Sequence, residues 1–314
     1  MVNASIIRPD HSKPMIEPDR QRVESAGAAL NVLTLGDQRR PPLVIVHGIR
    51  DVAASLLAVA EPLADRWYVV MPELRGHGDS DNCGQYTIAH FVYDLHRVIE
   101  SLDLAAPVVV GHSLGGQIAA HHAALFPDEV SALIIVEGLG PPTRPFEGDA
   151  AARRSVHRQQ LLTSMELPER GRALPSIEFA ADRLLANNPR LSRDRAHWLA
   201  EHGTTVAADG LRYWKFDRRV GQIWLTTDPE LNRERWRLIE CPTLIVTADL
   251  AHEYWTAQMP IPGWDGGFTD ADLDERLRCF RNGTHVRIDN AGHMVHFDRP
   301  DRLVMEIERF LKRV

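Results

Sequence analysis

Three side-chain types able to transfer an acyl group stand at separate points of the chain. The first is Ser113, set between glycines in Gly111-His112-Ser113-Leu114-Gly115. An apolar, β-branched run, Val108-Val109-Val110, leads into it, and Gln117 to Phe126 follows with the composition of a helix. Strand, sharp turn and helix form the context in which Gly-x-Ser-x-Gly makes a nucleophile elbow. Gly111 and Gly115 let strand and helix approach closely, so the Ser113 hydroxyl is expected on strained backbone above a helix N-terminus.

The second is His293, which follows Gly292 on a loop after the strand-like run His285 to Ile288. A histidine there can reach the serine as general base. His296 comes later and reads as a packing or helix-entry residue. The pair has His-x-x-His spacing, but no third ligand motif accompanies it, so no metal is expected. His47-Gly48-Ile49-Arg50 directly follows the run Leu43 to Val46. Gly48 permits a tight turn that aims the Ile49 N–H inward, and with the Leu114 N–H it would form an oxyanion hole.

These residues need a scaffold that brings distant segments together. Leu43 to Val46, Tyr68 to Met71, Val108 to Val110, Ala132 to Val136, Thr243 to Val246 and His285 to Ile288 are short strand-like runs, most of them continuously apolar. Such continuous runs mark strands buried on both faces. Thr87 to Leu102 and Arg302 to Leu311 carry helical spacing, and Thr269 with Asp272 reads as a capping box. The alternation predicts an α/β fold with a mostly parallel central sheet flanked by helices. It stops between about Gly140 and Ile239, where prolines punctuate helical stretches such as Ser192 to His202. That segment is too long for a loop and reads as a helical cap. The expected organisation is an extended arm over 1–24 (with an opening hairpin over Val23 to Leu35), a core of 25–140 and 240–314, and a cap over 141–239.

A chain of 314 residues with 44% hydrophobic residues can bury a sizeable core. A net charge of −7 argues against a nucleic-acid partner. No apolar run reaches membrane-spanning length, and Met1 to Arg20 holds no apolar segment of signal-peptide type. Cys83, Cys241 and Cys279 suggest neither a zinc site nor a disulfide framework. A cytoplasmic protein is the expectation, and a homodimer is compatible with it.

With His47-Gly48, Arg75-Gly76-His77-Gly78-Asp79-Ser80, Gly111-His112-Ser113-Leu114-Gly115-Gly116 and Gly292-His293 in this order, the chain resembles the α/β-hydrolase superfamily. The Arg75 to Ser80 loop reads as structural, with no chemistry assigned to it and with Arg75 and Asp79 available for ion pairs. The resemblance implies the order nucleophile, acid, histidine. The acid is most often found in a Gly-x-x-Asp loop after the penultimate strand. Here Thr247-Ala248-Asp249-Leu250-Ala251 puts Ala251 at that place and Asp249 two residues early. Haloalkane dehalogenases and some lactone hydrolases place it after the strand that follows the elbow helix, which is Glu137 here. A carboxylate at the end of a buried strand needs a partner, and an imidazolium supplies one. Glu137 is therefore preferred as the residue orienting His293, with Asp249 the fallback.

A serine attacks acyl carbon, so the dehalogenase-like acid position does not bring dehalogenase chemistry with it. The expected function is hydrolysis of a carboxylic ester or lactone through an acyl-enzyme, without a cofactor. The alternatives are hydrolysis of a carbon–carbon bond in a ring-cleavage product, and a non-catalytic ligand-binding protein. The substrate is expected to be small and apolar or aromatic. Some of Trp198, Trp214, Trp224, Trp236, Trp255 and Trp264 are candidates to line its pocket. Arg153, Arg154 and Arg158 read as a solvated face, and a carboxylate-bearing substrate is the sharper alternative for them.

Overall fold

The computed structural model describes residues 17–143, 148–259, 261 and 263–314. The chain opens with the strands β1 (Asp19–Ser25), β2 (Ala28–Leu35) and β3 (Pro42–Val46), then α1 (Leu57–Leu63), β4 (Tyr68–Pro72) and α2 (Ile88–Ser101). The elbow strand β5 (Val108–His112), the helix α3 (Leu114–Leu125) and β6 (Ala132–Val136) follow. Next come α4 (Ala150–Met165), α5 (Ile177–Asn187), α6 (Arg193–Gly203), a ribbon of β7 (Thr204–Val206) and β8 (Arg212–Trp214), and α7 (Pro229–Arg237). The chain closes with β9 (Thr243–Ala248), α8 (His252–Gln258), α9 (Asp270–Leu277), β10 (Gly283–Ile288), α10 (Val295–Asp298) and α11 (Pro300–Leu311).

Eight strands form one sheet in the order β1-β2-β4-β3-β5-β6-β9-β10. The six from β4 to β10 run parallel, and β1 and β2 join antiparallel at one edge. Alternate residues of each central strand face opposite layers, as the strand period requires. Val44, Val109, Leu133 and Ile245 pack under α2 and α3 with Phe91, Val98 and Ile118. Leu43, Val108, Ile134 and Leu244 pack under α1 and α11 with Leu57, Leu63, Leu303 and Ile307. Both faces are thereby covered, which is why these strands read as unbroken apolar runs. Thr87, Ser192 and Thr269 each cap a helix through the side-chain oxygen, at α2, α6 and α9. No helix among the described residues is long and apolar enough to cross a membrane.

Two expected boundaries shift. The arm expected over 1–24 is in part sheet: Asp19–Ser25 pairs with Ala28–Leu35 around Gly27, which takes φ +70°. Only Val23 is buried in β1, and a polar edge strand leaves no apolar pattern to read. Residues 1–16 lie outside the described residues. The segment 141–239 is not helical throughout, because it contains the β7–β8 ribbon, whose turn Asp209-Gly210 is a hairpin signal in its own right. Its last helix, α7, rests on α3, and Trp236 is buried against Phe280 with ring centroids 5.2 Å apart. Trp236 is thus a core residue and not a pocket candidate. The remaining helices are thinly packed: α4 buries no residue, while α5 and α6 share a small cluster of Ala180, Ala181, Ala196, Leu199 and Ala200.

Candidate active site

The turn between β5 and α3 is made by Ser113, whose φ of 52° and ψ of −116° lie where non-glycine residues are rare. Its N–H donates to the Val136 carbonyl at 2.9 Å, which pins the turn to β6. The neighbouring glycines are there for space. A Cβ on Gly111 would collide with the Gly115 carbonyl, and one on Gly115 with the Val46 carbonyl. One on Gly116 would come 2.9 Å from the Gly138 Cα. Helix α3 therefore begins pressed against three strands, with Ser113 at its head.

Glu137 follows β6 directly and also has positive φ, 51°. Its N–H donates to Val246 at 2.9 Å, and its Oε1 accepts the Ala248 N–H at 2.7 Å, so β9 fixes both its backbone and its carboxylate. Its Oε2 lies 3.1 Å from His293 Nδ1, and His293 Nε2 lies 3.0 Å from Ser113 Oγ. A carboxylate only accepts, so Nδ1 carries the proton and Nε2 is free to accept the serine proton. The side chains of His293 and Glu137 are 2% and 3% exposed, whereas Ser113 is half-buried. A buried carboxylate and a buried imidazole thus meet as partners with little water to compete.

Asp249 is not brought to His293. Its two oxygens accept the N–H groups of Asn290 and Ala291, at 3.0 and 3.1 Å. Burial pushes its pKa up, but those two N–H groups more than offset this and hold it below the usual carboxylate value. It braces the loop that carries His293. Asp298 accepts the Gly292 N–H at 2.7 Å, and His112 Nε2–H donates to the His293 carbonyl at 2.8 Å. Burial holds the His112 pKa well below its ordinary value, so it is a neutral tether.

The turn after β3 comes up against the nucleophile. A Cβ on Gly48 would lie 3.2 Å from Ser113 Cβ. Among the described residues, neither the Ile49 N–H nor the Leu114 N–H is taken up by another group. Arg50, with φ 60°, donates its N–H to His77 Nε2 at 2.9 Å. Burial lowers the His77 pKa to about 3, which keeps it a neutral acceptor. His47 donates through Nδ1 to the Gly48 carbonyl at 2.7 Å and accepts the Leu74 N–H at 3.0 Å. The Arg75 to Ser80 loop therefore does more than pair charges: it holds this turn. Arg75 itself makes a buried two-point pair with Asp94 at 2.6 Å, and Asp79 meets Arg20 and Lys215.

Two aromatic residues flank His293: Trp255, one of the pocket candidates, and Tyr254, which the sequence reading missed. The Tyr254 ring stacks on its imidazole at 4.2 Å, and Trp255 meets it edge-on at 5.3 Å. Both come from α8, whose seven residues lack a helical apolar stripe; the adjacent aromatic pair was the one available signal. Of the other tryptophans, Trp224 is exposed, Trp198 stacks on His202, and Trp214 and Trp264 are half-buried. Arg153, Arg154 and Arg158 lie exposed on α4.

His296 turns away from Ser113. It packs on His112 at 4.5 Å, with Nε2 3.4 Å from Asp51 Oδ2. Burial raises the Asp51 pKa, but His296 and His47 more than offset it, to about 2. Asp51, His112 and His296 offer donor atoms within 4.8 Å of one another, as do His96, His122 and Glu129 beside α3. Neither group includes His293, so the His-x-x-His pair is not a shared ligand set.

A family model described as "Alpha/beta hydrolase family" matches residues 43–306. A Haemophilus influenzae protein named "Putative esterase/lipase" is 24% identical over 275 residues, covering 87% of this chain and 84% of that protein. The human "Serine hydrolase-like protein 2" is 27% identical over 287 residues and 88% of each chain. Among solved structures, the thioesterase domain from the curacin biosynthetic pathway superposes with a TM-score of 0.76 at 24% identity, over 93% of this chain and 99% of that one. That likeness concerns the fold.

Proposed function

Since the chain belongs to the α/β hydrolase family, we propose that it is a serine hydrolase of carboxylic esters or lactones, working through an acyl-enzyme. The observation that carries this reading is the continuous relay from Glu137 Oε2 through His293 to Ser113 Oγ, at 3.1 and 3.0 Å. His293 Nε2 takes the hydroxyl proton as Ser113 Oγ attacks the acyl carbon. The N–H groups of Ile49 and Leu114 receive the oxyanion, each worth about 100- to 1,000-fold in rate at such a site. The tetrahedral intermediate collapses as His293 passes its proton to the leaving alcohol. Water then attacks the acyl carbon as His293 takes one of its protons, and the second tetrahedral intermediate collapses as His293 returns that proton to Ser113 Oγ and the acid leaves. Glu137 keeps the imidazole in the required tautomer and stabilises its charged form.

The segment from α4 to the stretch Arg218–Leu225 acts in this reading as the cap over the elbow, and α7 as its seat on the core. No cofactor takes part in these steps.

The test is labelling with a fluorophosphonate probe alongside hydrolysis of p-nitrophenyl esters of graded chain length and several lactones. Wild type is expected to label and to turn over, and Ser113→Ala to do neither, with at least about a 10⁴-fold loss of kcat. An unlabelled wild-type protein, or a Ser113→Ala variant that still turns over, would refute the assignment.

A further inference from the structure

The three segments that carry Ile49, Ser113 and His293 also carry Asp51, His112 and His296. Asp51 stands two residues after Ile49, His112 one residue before Ser113, and His296 three residues after His293. None of the three takes part in the relay. Each offers one metal-ligating atom, and these atoms lie within 4.8 Å of one another. Three atoms so placed share a point no more than about 2.8 Å from each of them. Shifts of less than about 1 Å would therefore bring all three to the bond lengths of a zinc-type ion, roughly 2.0–2.2 Å. His296 Nε2 and Asp51 Oδ2 stand 3.4 Å apart. That is about the edge of a tetrahedron drawn around such an ion.

The hydrogen bonds around the group are those of a ligand set. A ligating imidazole gives its second N–H to a carbonyl or carboxylate, and a ligating carboxylate is itself held by hydrogen bonds. His112 donates Nε2–H to the His293 carbonyl at 2.8 Å, which leaves its Nδ1 lone pair to give. Asp51 accepts the Val52 N–H at 2.8 Å and the Ser55 hydroxyl at 2.7 Å. His112 and His296 are 4% and 1% exposed. Yet among the described residues His112 Nδ1 and both nitrogens of His296 have no hydrogen-bond partner. Buried polar atoms are nearly always paired, and here three orphans sit on two rings 4.5 Å apart beside a carboxylate. His112 Nδ1 and the carboxylate both present lone pairs, so a cation suits them together. The group His96, His122 and Glu129 differs, because its carboxylate already pairs with both rings at 2.9 and 3.0 Å.

We propose that Asp51, His112 and His296 form a structural site for a zinc-type divalent ion, which ties together the turn after β3, the end of β5 and the His293 loop. His112 Nδ1, His296 Nε2 and an Asp51 oxygen are its ligands. Two imidazole nitrogens and one carboxylate oxygen select a borderline transition ion over calcium or magnesium. Asp51, half-buried, is the most exposed of the three and faces the side from which an ion enters. The inference goes beyond the hydrolase reading, since the ion contacts none of the reacting atoms and its test needs no turnover.

The experiment strips the full chain with a chelator and titrates it with Zn²⁺, Co²⁺, Ca²⁺ or Mg²⁺, following thermal unfolding and visible absorption. At Zn²⁺ about a hundred times its Kd, the wild-type midpoint is expected to rise by roughly 5 °C. Co²⁺ should give the visible bands of a tetrahedral site. Ca²⁺ and Mg²⁺, which take oxygen ligands, should move the midpoint by less than about 1 °C. Asp51→Asn and His296→Gln should each lose most of the zinc shift. The shift is read against each variant's own metal-free midpoint, so a lower starting stability does not enter the result. Glu129→Gln, which alters the other group, should keep the shift. A wild type that Zn²⁺ and Co²⁺ leave unchanged would mean that the orphan nitrogens meet water alone, and the site is refuted. It is refuted equally if Asp51→Asn and His296→Gln both keep the shift, or if Glu129→Gln abolishes it.

Discussion

The elbow and the α4–α6 insertion obey different rules of construction. Around Ser113 the backbone is crowded: the glycines at 111, 115 and 116 have no room for a methyl group, and β6 and β9 hold Ser113 and Glu137 by hydrogen bonds. In the insertion, α4 buries nothing, and α5 with α6 close over a handful of alanines and leucines. Reacting groups must stay within a few tenths of an ångström of one geometry, and that precision comes from rigid, over-determined surroundings. Substrate admission needs the opposite, a part that shifts at little cost. In the proposed reading the chemistry lies on the first and substrate admission on the second.

The largest effect that would break this comparison lies in the two candidate acids. Glu137 is fixed by β6 and β9 and faces His293, whereas Asp249 binds only backbone N–H groups of the following loop. Glu137→Gln is expected to lower kcat by about 10³- to 10⁴-fold with little change in the unfolding midpoint. Asp249→Asn should cost less than about ten-fold in kcat, and more in stability, because it weakens the brace of the His293 loop. The reverse ranking in kcat would mean that the loop, and not the strand end, supplies the working carboxylate.

What could be read from residues alone follows the same division. The β-branched runs, the elbow glycines and the Gly292-His293 pair are legible because a buried parallel strand and a crowded turn tolerate few residue types. Glu137 was reachable from its place at a strand end, although the choice against Asp249 needed the resemblance as well as the cost of an unpaired buried charge. Tyr254 was invisible because α8 has seven residues and no apolar period. His112 and His77 looked like motif filler, since nothing in spacing tells that one holds the His293 carbonyl and the other the Arg50 N–H. The β7–β8 ribbon was missed because its strands have three residues each.

A smaller effect separates the two regions by packing. Ile118 of α3 is fully buried at 0% exposure, whereas Leu161 of α4 is 50% exposed. Ile118→Ala is expected to cost about 2–5 kcal/mol in urea unfolding, the range for a buried large-to-small change. Leu161→Ala should stay within about 0.5 kcal/mol, as surface changes do. A cost at Leu161 comparable with that at Ile118 would show that α4 is covered in solution, by a second copy or by another part of the chain.

The smallest expected effect tests the seam where the two regions join. His121 of α3 donates through Nε2 to Asn232 Oδ1 at 2.8 Å and accepts from Arg235 at Nδ1, so α7 is held to the core by a neutral imidazole. Burial, helped by Arg235, lowers its pKa to about 4. Unfolded, it titrates near 6.5. Above that value both states are neutral and the group contributes no pH dependence. Between about 6.5 and 4 the unfolded chain holds a proton that the native state refuses, so stability falls as the pH falls. Below about 4 the native state accepts the proton too and the slope ends. His122 and His77, lowered by burial to about 4 and about 3, act with the same sign. His121→Gln should therefore make the decline between pH 6 and 4.5 shallower by about 1.4 kcal/mol per pH unit, read from urea midpoints at constant m-value. An unchanged slope would mean that the native imidazole takes its proton no later than the unfolded one and is charged across this pH window. The α3–α7 contact would then be an ion-repelling joint beside Arg235, and α7 would belong with the yielding part of the molecule.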